Sequence, residues 1–271
     1  MVTELEGKVA LVTGASRGVG AATAVALAEA GCAVAVAARS TNDAPQKTPG
    51  TLDETVAKIE KYGVAALAVP TNLAVEDEVV AMVERAVDHF GRLDVIVNNA
   101  AITFPGDLDI EKKRYELTMT VDARAPMVAI REAAPHLRAA GGGAVCNISS
   151  VAALMPIPTL MVYGMAKAAL EHLTINAAAQ LAPDIRVNCF RIDLPVASEG
   201  FIANAPDLDH STWEPCEVAA EGILWTLRQD FTGRLLSMNA LRESQGIMQS
   251  RAERRHEGPR PPTRMMGEGL P

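Results

Sequence analysis

Short apolar runs alternate with longer amphipathic segments along most of this chain. The runs are rich in valine, alanine and isoleucine, and their length of about five residues is typical of strands that are buried on both faces. Such runs occupy residues 8–12, 33–38, 65–69, 93–97, 144–148, 185–190 and 234–238. The intervening segments carry apolar residues three and four positions apart, which is the spacing of one helix face. Helices are therefore predicted at residues 21–30, 52–62, 76–90, 111–139, 162–181 and 217–228, and the helix at 111–139 could be adjusted near Pro126 and Pro135.

This alternation determines the fold class that we expect. Strands separated by helices pair in parallel, so the chain is predicted to form a single-domain, doubly wound parallel α/β sheet of about seven strands with helices on both faces. With 271 residues, 49% of them hydrophobic, the chain can bury one large core. We expect the domain to span residues 1–250. Residues 251–271 carry five arginines and several prolines without apolar periodicity, and are predicted to form an extended tail.

Composition and charge exclude several other classes of protein. No run of about 18 apolar residues is present, so no membrane span is expected. The first residues carry early charges and do not fit a secretion signal. The net charge of −8 argues against a nucleic-acid partner. The four cysteines form no C-x-x-C pair and the five histidines lack ligand spacing, which predicts a reduced, cytoplasmic chain without a metal site.

A glycine-rich turn follows the first strand directly. Its sequence is T-G-A-S-R-G-V-G at residues 13–20, and an alanine-rich helix follows it. Glycines allow a ligand to approach the backbone, and a helix N-terminus offers free N–H groups and the positive end of its dipole. Strand, glycine turn and helix in this order predict a dinucleotide site of the Rossmann type rather than a plain turn. The residues assigned to this site are Gly14, Ser16, Arg17, Gly18, Val19 and Gly20.

The end of the second strand indicates which nucleotide binds. In a Rossmann-type fold this position meets the adenosine ribose, where an acidic residue would bind the 2′-hydroxyl and an arginine suits a 2′-phosphate. Arg39 and Ser40 stand there, and Arg17 in the glycine turn is a second cation. NADP is therefore predicted as the cofactor. NAD is the alternative if both arginines are only solvated surface residues.

One stretch of the chain, residues 144–181, combines hydroxyl, phenol and ammonium groups. A strand ends at Ser149 and Ser150, and the following helix carries Tyr163 and Lys167 one turn apart on the same face. A free tyrosine has a pKa of about 10, and a neighbouring lysine ammonium is expected to lower it. The pair is thus a candidate acid and base. Taken alone, the Y-x-x-x-K spacing also occurs by chance on ordinary helix surfaces.

Together, these motifs resemble the short-chain dehydrogenase/reductase family over residues 8–238. The glycine turn, the N-N-A sequence at residues 98–100, Ser150, Tyr163 and Lys167 all follow the order and spacing of that family. The resemblance implies an NAD(P)-dependent oxidoreductase that transfers hydride between nicotinamide and the carbonyl or alcohol carbon of a small-molecule substrate.

The resemblance also extends to one branch of the family. The polar loop at residues 41–50, with its T-P-G-T ending, is similar to a branch that includes hydroxysteroid-dehydrogenase-like proteins and terpenoid-alcohol dehydrogenases.

The resemblance further implies roles for individual residues. Tyr163 is the general acid in reduction and the general base in oxidation, Lys167 lowers its pKa and holds the nicotinamide ribose, and Ser150 hydrogen-bonds the substrate oxygen. Ser149 is the neighbouring alternative, but a shift of one residue at a strand end points its side chain elsewhere. Further cofactor contacts are implied for Asn72, Leu73, Asn99, Ala100, Ala101 and Val196.

Two residues depart from the family pattern. Asp122 stands where the family usually has an asparagine that helps to hold a water between the active lysine and solvent. It could accept bonds from that water and would stabilise Lys167 as a cation, so it is kept as a catalytic residue. Asp193 stands in place of a glycine beside the nicotinamide, where it could accept a bond from the carboxamide or, without a partner, disfavour the cofactor. These departures leave open a catalytically impaired nucleotide-binding sensor or regulatory protein.

The substrate end of the site is less well defined by the sequence. A group of apolar residues lies in segments that should surround the pocket mouth, and it belongs either to an apolar pocket or to the core. The group comprises Phe104, Met155, Ile157, Leu160, Met161, Phe201 and Trp213. As a pocket, it favours an apolar ketone, aldehyde or secondary alcohol as substrate. Residues 198–215 are predicted to form a lid, with a plain surface loop as the alternative.

The helix at residues 162–181 is rich in alanine, which allows close helix approach. Members of the family pair this helix and the preceding long one across a two-fold axis. A homodimer or homotetramer is therefore expected.

Overall fold

The computed structural model describes residues 4–204 and 207–250, and it confirms the predicted α/β fold. The described residues form one parallel sheet of seven strands. These are β1 (Val9–Thr13), β2 (Ala33–Ala38), β3 (Ala66–Pro70), β4 (Val95–Asn98), β5 (Gly143–Ser150), β6 (Ile185–Ile192) and β7 (Leu235–Ser237). Their order across the sheet is β3-β2-β1-β4-β5-β6-β7. The strand order reverses between β1 and β4, and open α/β sheets bind ligands beyond the strand ends at such a point.

Helices connect the strands and cover both faces of the sheet. In the described part of the chain they are α1 (Gly18–Glu29), α2 (Leu52–Ile59), α3 (Glu76–Phe90), α4 (Lys112–Met119), α5 (Ala125–Ala139), α6 (Met161–Leu181), α7 (Glu199–Asn204), α8 (Cys216–Arg228) and α9 (Met238–Gln245). None of them is both long enough and apolar enough to cross a membrane.

The strands are apolar throughout because their residues alternate between two cores. In β1, Ala10 and Val12 contact the core beneath α1, α2 and α8. Val9 and Leu11 point the other way and contact the core beneath α3, α5 and α6. Both faces of the sheet are thus buried, which is the arrangement that the sequence pattern predicts.

The long helix predicted at residues 111–139 has an irregular turn close to Pro126, one of the two prolines where an adjustment was expected. It is divided into α4, a π-helical turn at Thr120–Arg124 and α5. Pro126 follows the turn, and its ring nitrogen cannot donate the hydrogen bond that a regular helix requires there. Turns of this kind are rare and occur frequently at functional sites. Asp122 lies within this one.

The C-terminal part of the described chain differs most from the prediction. The last strand is shorter than predicted, and Met238 begins α9, which the sequence pattern did not reveal. The Ser237 hydroxyl caps α9 by accepting a hydrogen bond from the Ala240 N–H at 3.1 Å. The segment at residues 198–215, predicted to form a lid or a plain surface loop, contains the short helix α7, and its role as a lid stays a prediction. The predicted tail at residues 251–271 lies outside the described residues, so the domain boundary stays a prediction.

Candidate active site

The glycine turn lies at the carboxyl end of β1 and leads directly into α1. This helix begins at Gly18 rather than at residue 21, so the last two glycines lie in its first turn. A Cβ at Gly14 would lie 2.7 Å from Ala100 Cα, and one at Gly20 would lie 2.4 Å from the Gly14 carbonyl oxygen. Gly14 and Gly18 also have positive φ angles of 66° and 60°. The turn therefore presents backbone without side chains at a helix N-terminus, which fits the phosphates of a dinucleotide.

Thr13 and Asn99 hold the glycine turn against the end of β4. The Thr13 hydroxyl accepts hydrogen bonds from the N–H groups of Asn99 and Ala100, both at 3.1 Å. The Asn99 amide donates to the carbonyls of Thr13 at 2.8 Å and Gly14 at 3.3 Å. Asn99 thus shapes the turn with its own amide group. A direct contact of Asn99 with the nucleotide stays a prediction.

The other predicted cofactor contacts also follow strand ends. After β3, the Asn72 side chain accepts a hydrogen bond from the Ala74 N–H at 3.2 Å. Leu73 and Ala100 line one small depression at this edge of the sheet, and Ala101 is exposed. Val196 is 3% exposed and pairs with Glu214 at the base of the predicted lid. These positions are close to where the Rossmann-type fold binds its nucleotide, and the contacts with it stay predictions.

Arg17 and Ser40 use their side chains differently from the prediction. Arg17 donates from Nε to the Pro49 carbonyl at 2.6 Å and from Nη2 to two further loop carbonyls. The Ser40 hydroxyl donates to the Gly50 carbonyl at 2.8 Å. Both residues therefore bind the loop between β2 and α2. By contrast, Arg39 is exposed and makes no hydrogen bond or ion pair within residues 4–204 and 207–250.

Ser150, Tyr163 and Lys167 converge at the carboxyl end of β5. The Ser150 hydroxyl lies close to the Tyr163 phenol and acts to lower its pKa. Lys167 is 2% exposed, donates from Nζ to the Ile148 carbonyl at 2.9 Å, and lies 5.5 Å from the Tyr163 ring centroid. A Cβ at Gly164 would lie 2.6 Å from the Ala152 carbonyl oxygen, so α6 packs directly on the turn after β5. This close packing brings Tyr163 to Ser150.

The predicted lowering of the Tyr163 pKa is wrong for this structure. Burial raises the pKa of the phenol above its usual range, and this exceeds the opposite effect of the Lys167 ammonium. The sequence revealed the lysine but not the partial burial of the phenol. The phenol is consequently protonated at neutral pH, which is the form that donates a proton.

Asp122 is fully buried in the π-helical turn close to Lys167. Its Oδ1 accepts a hydrogen bond from the Ile102 N–H at 2.8 Å, while Oδ2 has no partner among the described residues. Burial raises its pKa to about 7, although Lys167 and the Ile102 N–H both act to lower it. Asp122 thus changes charge near neutral pH, whereas the asparagine that the family usually has at this position would not.

Replacement of Asp122 by asparagine is expected to alter the pH dependence of stability. The folded pKa of about 7 lies above the ordinary value of 3.8. The folded chain therefore keeps a proton that the unfolded chain releases, and this contribution to stability is lost as the pH rises from about 4 to about 7. Asp122→Asn should raise the melting temperature over that of the wild type much more at pH 8 than at pH 5. An equal difference in melting temperature between variant and wild type at both pH values would contradict the raised pKa of Asp122.

Asp193 has partners within the protein, so the alternative of an unpartnered carboxylate is wrong. It is 6% exposed and accepts hydrogen bonds from the Ser237 hydroxyl and, at 3.0 Å, from the Asn239 N–H. Its carboxylate joins the end of β6 to β7 and to the start of α9. A contact with the nicotinamide carboxamide stays a prediction.

A buried ion pair that the sequence did not predict lies next to Ser150, Tyr163 and Lys167. Glu171 is one turn after Lys167 on α6, and Arg191 is opposite Ser149 in the pairing of β5 with β6. Arg191 donates to both carboxylate oxygens of Glu171, at 2.8 and 2.7 Å, and the Ser149 hydroxyl donates to the same carboxylate at 2.7 Å. Ser149 therefore belongs to this network, which leaves Ser150 as the hydroxyl beside Tyr163. The sequence signal for this ion pair was a charged residue in an otherwise apolar strand and another on a buried helix face.

The predicted pocket residues are mostly half-buried rather than part of the core. Phe201 and Trp213 stack with ring centroids 4.5 Å apart, and Trp213 is 5% exposed. Arg114 lies 5.6 Å from the Phe104 ring and pairs with Glu111 at 3.3 Å. The remaining pocket candidates are partly buried at the start of α6 and in the turn before it: Met155, Ile157, Leu160 and Met161.

The parallel sheet carries a glycine turn where its strand order reverses, and a Ser-Tyr-Lys cluster lies at the same edge. Together these features define a nucleotide-dependent oxidoreductase. The family model described as short chain dehydrogenase matches residues 8–193. The chain therefore belongs to the short-chain dehydrogenase/reductase family, whose members act on alcohol and carbonyl groups.

Relatives and solved structures agree with this family. An uncharacterized oxidoreductase of Methylorubrum extorquens is 38% identical over 203 residues, covering 74% of this chain and 75% of the relative. The 7alpha-hydroxysteroid dehydrogenase of Clostridium sardiniense is 35% identical over 193 residues, covering 68% and 69%. The crystal structure of a short chain dehydrogenase from Burkholderia cenocepacia in complex with NADP is 30% identical, with a TM-score of 0.77 over 87% of this chain and 97% of that one.

Proposed function

We propose that this protein is an NADP-preferring dehydrogenase/reductase for an apolar carbonyl compound or secondary alcohol. The observation that carries the proposal is the meeting of Ser150, Tyr163 and Lys167 at the carboxyl end of β5, with Lys167 Nζ 5.5 Å from the Tyr163 ring centroid. These groups lie at the sheet edge that also bears the glycine turn. When bound there, the nicotinamide cofactor would supply or accept the hydride.

The side chains of the protein provide binding and proton transfer. The glycine turn and the N-terminus of α1 would hold the pyrophosphate, and Lys167 would hold the nicotinamide ribose. Ser150 would donate a hydrogen bond to the substrate oxygen. Tyr163, which is protonated at neutral pH, would give its proton to that oxygen in reduction and take it back in oxidation. Asp122 would accept hydrogen bonds from the water that connects Lys167 to solvent.

Arg39 supports NADP as the preferred nucleotide. It lies at the carboxyl end of β2, where the adenosine ribose is bound in this fold, and it is exposed without a competing partner in the described part of the chain. The solved relatives include proteins bound to NADP and to NAD, so their names do not decide the choice.

The half-buried apolar residues at the pocket mouth support an apolar substrate. The nearby cation Arg114 is already paired with Glu111, so it would not attract an acid. The relatives include a 7alpha-hydroxysteroid dehydrogenase, whose name refers to a steroid, and a versicolorin reductase. The alternative of an impaired sensor has no support from the relatives, and the partners of Asp193 remove one reason for it.

Separate titrations with NADPH and NADH test the nucleotide, with fluorescence of the two tryptophans as the signal. We expect tighter binding of NADPH and, in a subsequent screen, turnover of apolar ketones but not of charged acyl substrates. Arg39→Met should remove the preference for NADPH and leave NADH affinity unchanged. Tighter binding of NADH by the wild type would overturn the assignment of NADP, and binding of neither would overturn the proposed function.

The exposed face of α6 supports a homo-oligomer. Met165 and Ile175 are 45% and 47% exposed there, with alanines between them, and Met127 on α5 is 45% exposed. We expect a dimer or tetramer by light scattering at micromolar concentration. A monomer under these conditions would contradict this proposal.

A further inference from the structure

We propose that Arg17 is a positioning residue that fastens the loop between β2 and α2 onto the glycine turn, and that the 2′-phosphate is bound by Arg39 instead. The proposal rests on the proposed NADP-binding function and assigns different tasks to its two candidate cations. It follows from where the donors of the Arg17 side chain point.

The Arg17 guanidinium is committed to three consecutive backbone carbonyls. Nε donates to Pro49 at 2.6 Å, and Nη2 donates to Thr48 at 2.8 Å and to Gly50 at 3.1 Å. A planar guanidinium with several fixed donors suits such a set of acceptors, whereas a lysine ammonium is a compact point charge. The positive charge of Arg17 thus lies against the loop carbonyls rather than in open solvent.

Close packing at Gly50 and hydrogen bonds of the loop also hold it in this position. Gly50 has a φ of 105°, and a Cβ there would lie 2.5 Å from the Ser16 carbonyl oxygen and 2.8 Å from the Arg17 Cβ. The Ser40 hydroxyl donates to the Gly50 carbonyl at 2.8 Å, and the Leu52 N–H donates to the Ser40 carbonyl at 2.9 Å. Only a glycine allows this close approach of loop and turn.

The far end of the loop is joined to the same turn through α2. The Thr51 hydroxyl caps α2 by accepting a hydrogen bond from the Glu54 N–H at 3.2 Å. The Thr55 hydroxyl donates to the Ala15 carbonyl within the glycine turn at 2.9 Å. The glycine turn, the end of β2 and the loop are therefore one hydrogen-bonded unit around the place where this fold binds the adenosine half of a dinucleotide.

The two arginines should therefore affect the affinities for NADPH and NADH differently. Loss of the Arg17 contacts would release the loop, which borders the adenosine that NADPH and NADH share. Both nucleotides should then bind more weakly by the same factor. A cation that contacts the 2′-phosphate directly would affect NADPH alone, because NADH has a hydroxyl at that position.

The test is to titrate NADPH and NADH into the full chain and its Arg17→Lys, Arg17→Met, Gly50→Ala and Arg39→Met variants. Arg17→Lys keeps the positive charge but cannot contact three carbonyls in the same way. We expect it to weaken the binding of both nucleotides by a similar factor of about three to ten, since it loses hydrogen bonds from a charged donor but keeps the charge. Gly50→Ala should reproduce that equal loss through the strained and crowded Cβ. Arg39→Met should weaken NADPH by about tenfold or more and spare NADH.

Other outcomes separate this proposal from the proposed function. Selective loss of NADPH in an Arg17→Met variant, with near-normal binding in Arg17→Lys, would make Arg17 a phosphate ligand and overturn the proposal while NADP binding stands. Unchanged affinity for both nucleotides in Arg17→Lys and Gly50→Ala would also overturn it. Binding of neither nucleotide by the wild type would overturn the proposed function itself.

Discussion

Replacement of Tyr163 by phenylalanine is expected to reduce kcat by about 10²- to 10⁴-fold while nucleotide affinity stays unchanged. The substitution keeps the ring that packs at the start of α6 and deletes only the hydroxyl that meets Ser150. Lys167 keeps its bond to the Ile148 carbonyl, so the nucleotide side of the site is preserved. Turnover should be measured in both directions with a substrate from the apolar screen, beside a fluorescence titration of the nucleotide.

The pH dependence of the wild type adds a second criterion for Tyr163. Because its pKa is raised, the protonated phenol should persist through neutral pH, so the rate of reduction should be flat there and fall only at alkaline pH. The rate of oxidation, which requires the phenolate, should rise with pH over the same range. Tyr62→Phe is a matched control, since Tyr62 is 45% exposed and lies after α2. Normal turnover in Tyr163→Phe would remove Tyr163 from the mechanism.

Replacement of Arg191 by methionine is expected to lower the free energy of unfolding by about 3–5 kcal/mol, because it leaves the buried Glu171 carboxylate without its cation. The two side chains are only 10% and 8% exposed. A loss of this size corresponds to a fall in melting temperature of roughly 10 °C for a chain of this length. Thermal unfolding followed by circular dichroism measures it directly.

Two further variants show whether the buried charge is the cause. Arg191→Met combined with Glu171→Gln removes the orphaned charge and still offers Ser149 an acceptor, so it should recover much of the lost stability. Arg131→Met is the control on the surface, where Arg131 is 54% exposed and pairs with Glu132 and Glu76. It should leave the melting temperature nearly unchanged, because exposed ion pairs contribute little to stability. Equal melting temperatures for Arg191→Met and the double variant would count against a charge effect.

The sequence predicted the fold and the backbone of the site because both follow from local patterns. Apolar runs of strand length, separated by amphipathic helices, leave few ways to form a sheet. A glycine turn between a strand and a helix can be recognised without knowledge of the rest of the chain. The cluster of Ser150, Tyr163 and Lys167 was likewise predictable, since the strand end and the helix face that carry it are close in sequence.

Side-chain direction and burial could not be predicted in the same way. The Arg17 contacts depend on the path of residues 41–50, which have no periodicity, and the pKa of Tyr163 depends on burial that only the packed structure defines. Glu171 and Arg191 are 20 residues apart and meet because α6 lies across β5 and β6. The spacing of four that joins Tyr163 to Lys167 continues to Glu171, and this was a sign of a second charge on the buried face.

The π-helical turn at Thr120–Arg124 has a consequence for the register of the chain. A turn of this kind holds one residue more than a regular helical turn, so the faces of α4 and α5 are offset by roughly 100° relative to an unbroken helix. Deleting one residue here would make the helix regular, but it would also rotate Asp122 away from Lys167 or α4 away from its contacts. The extra residue thus lets α4 and α5 pack on different surfaces, and a change of length at this point should disturb the site more than a change of side chain.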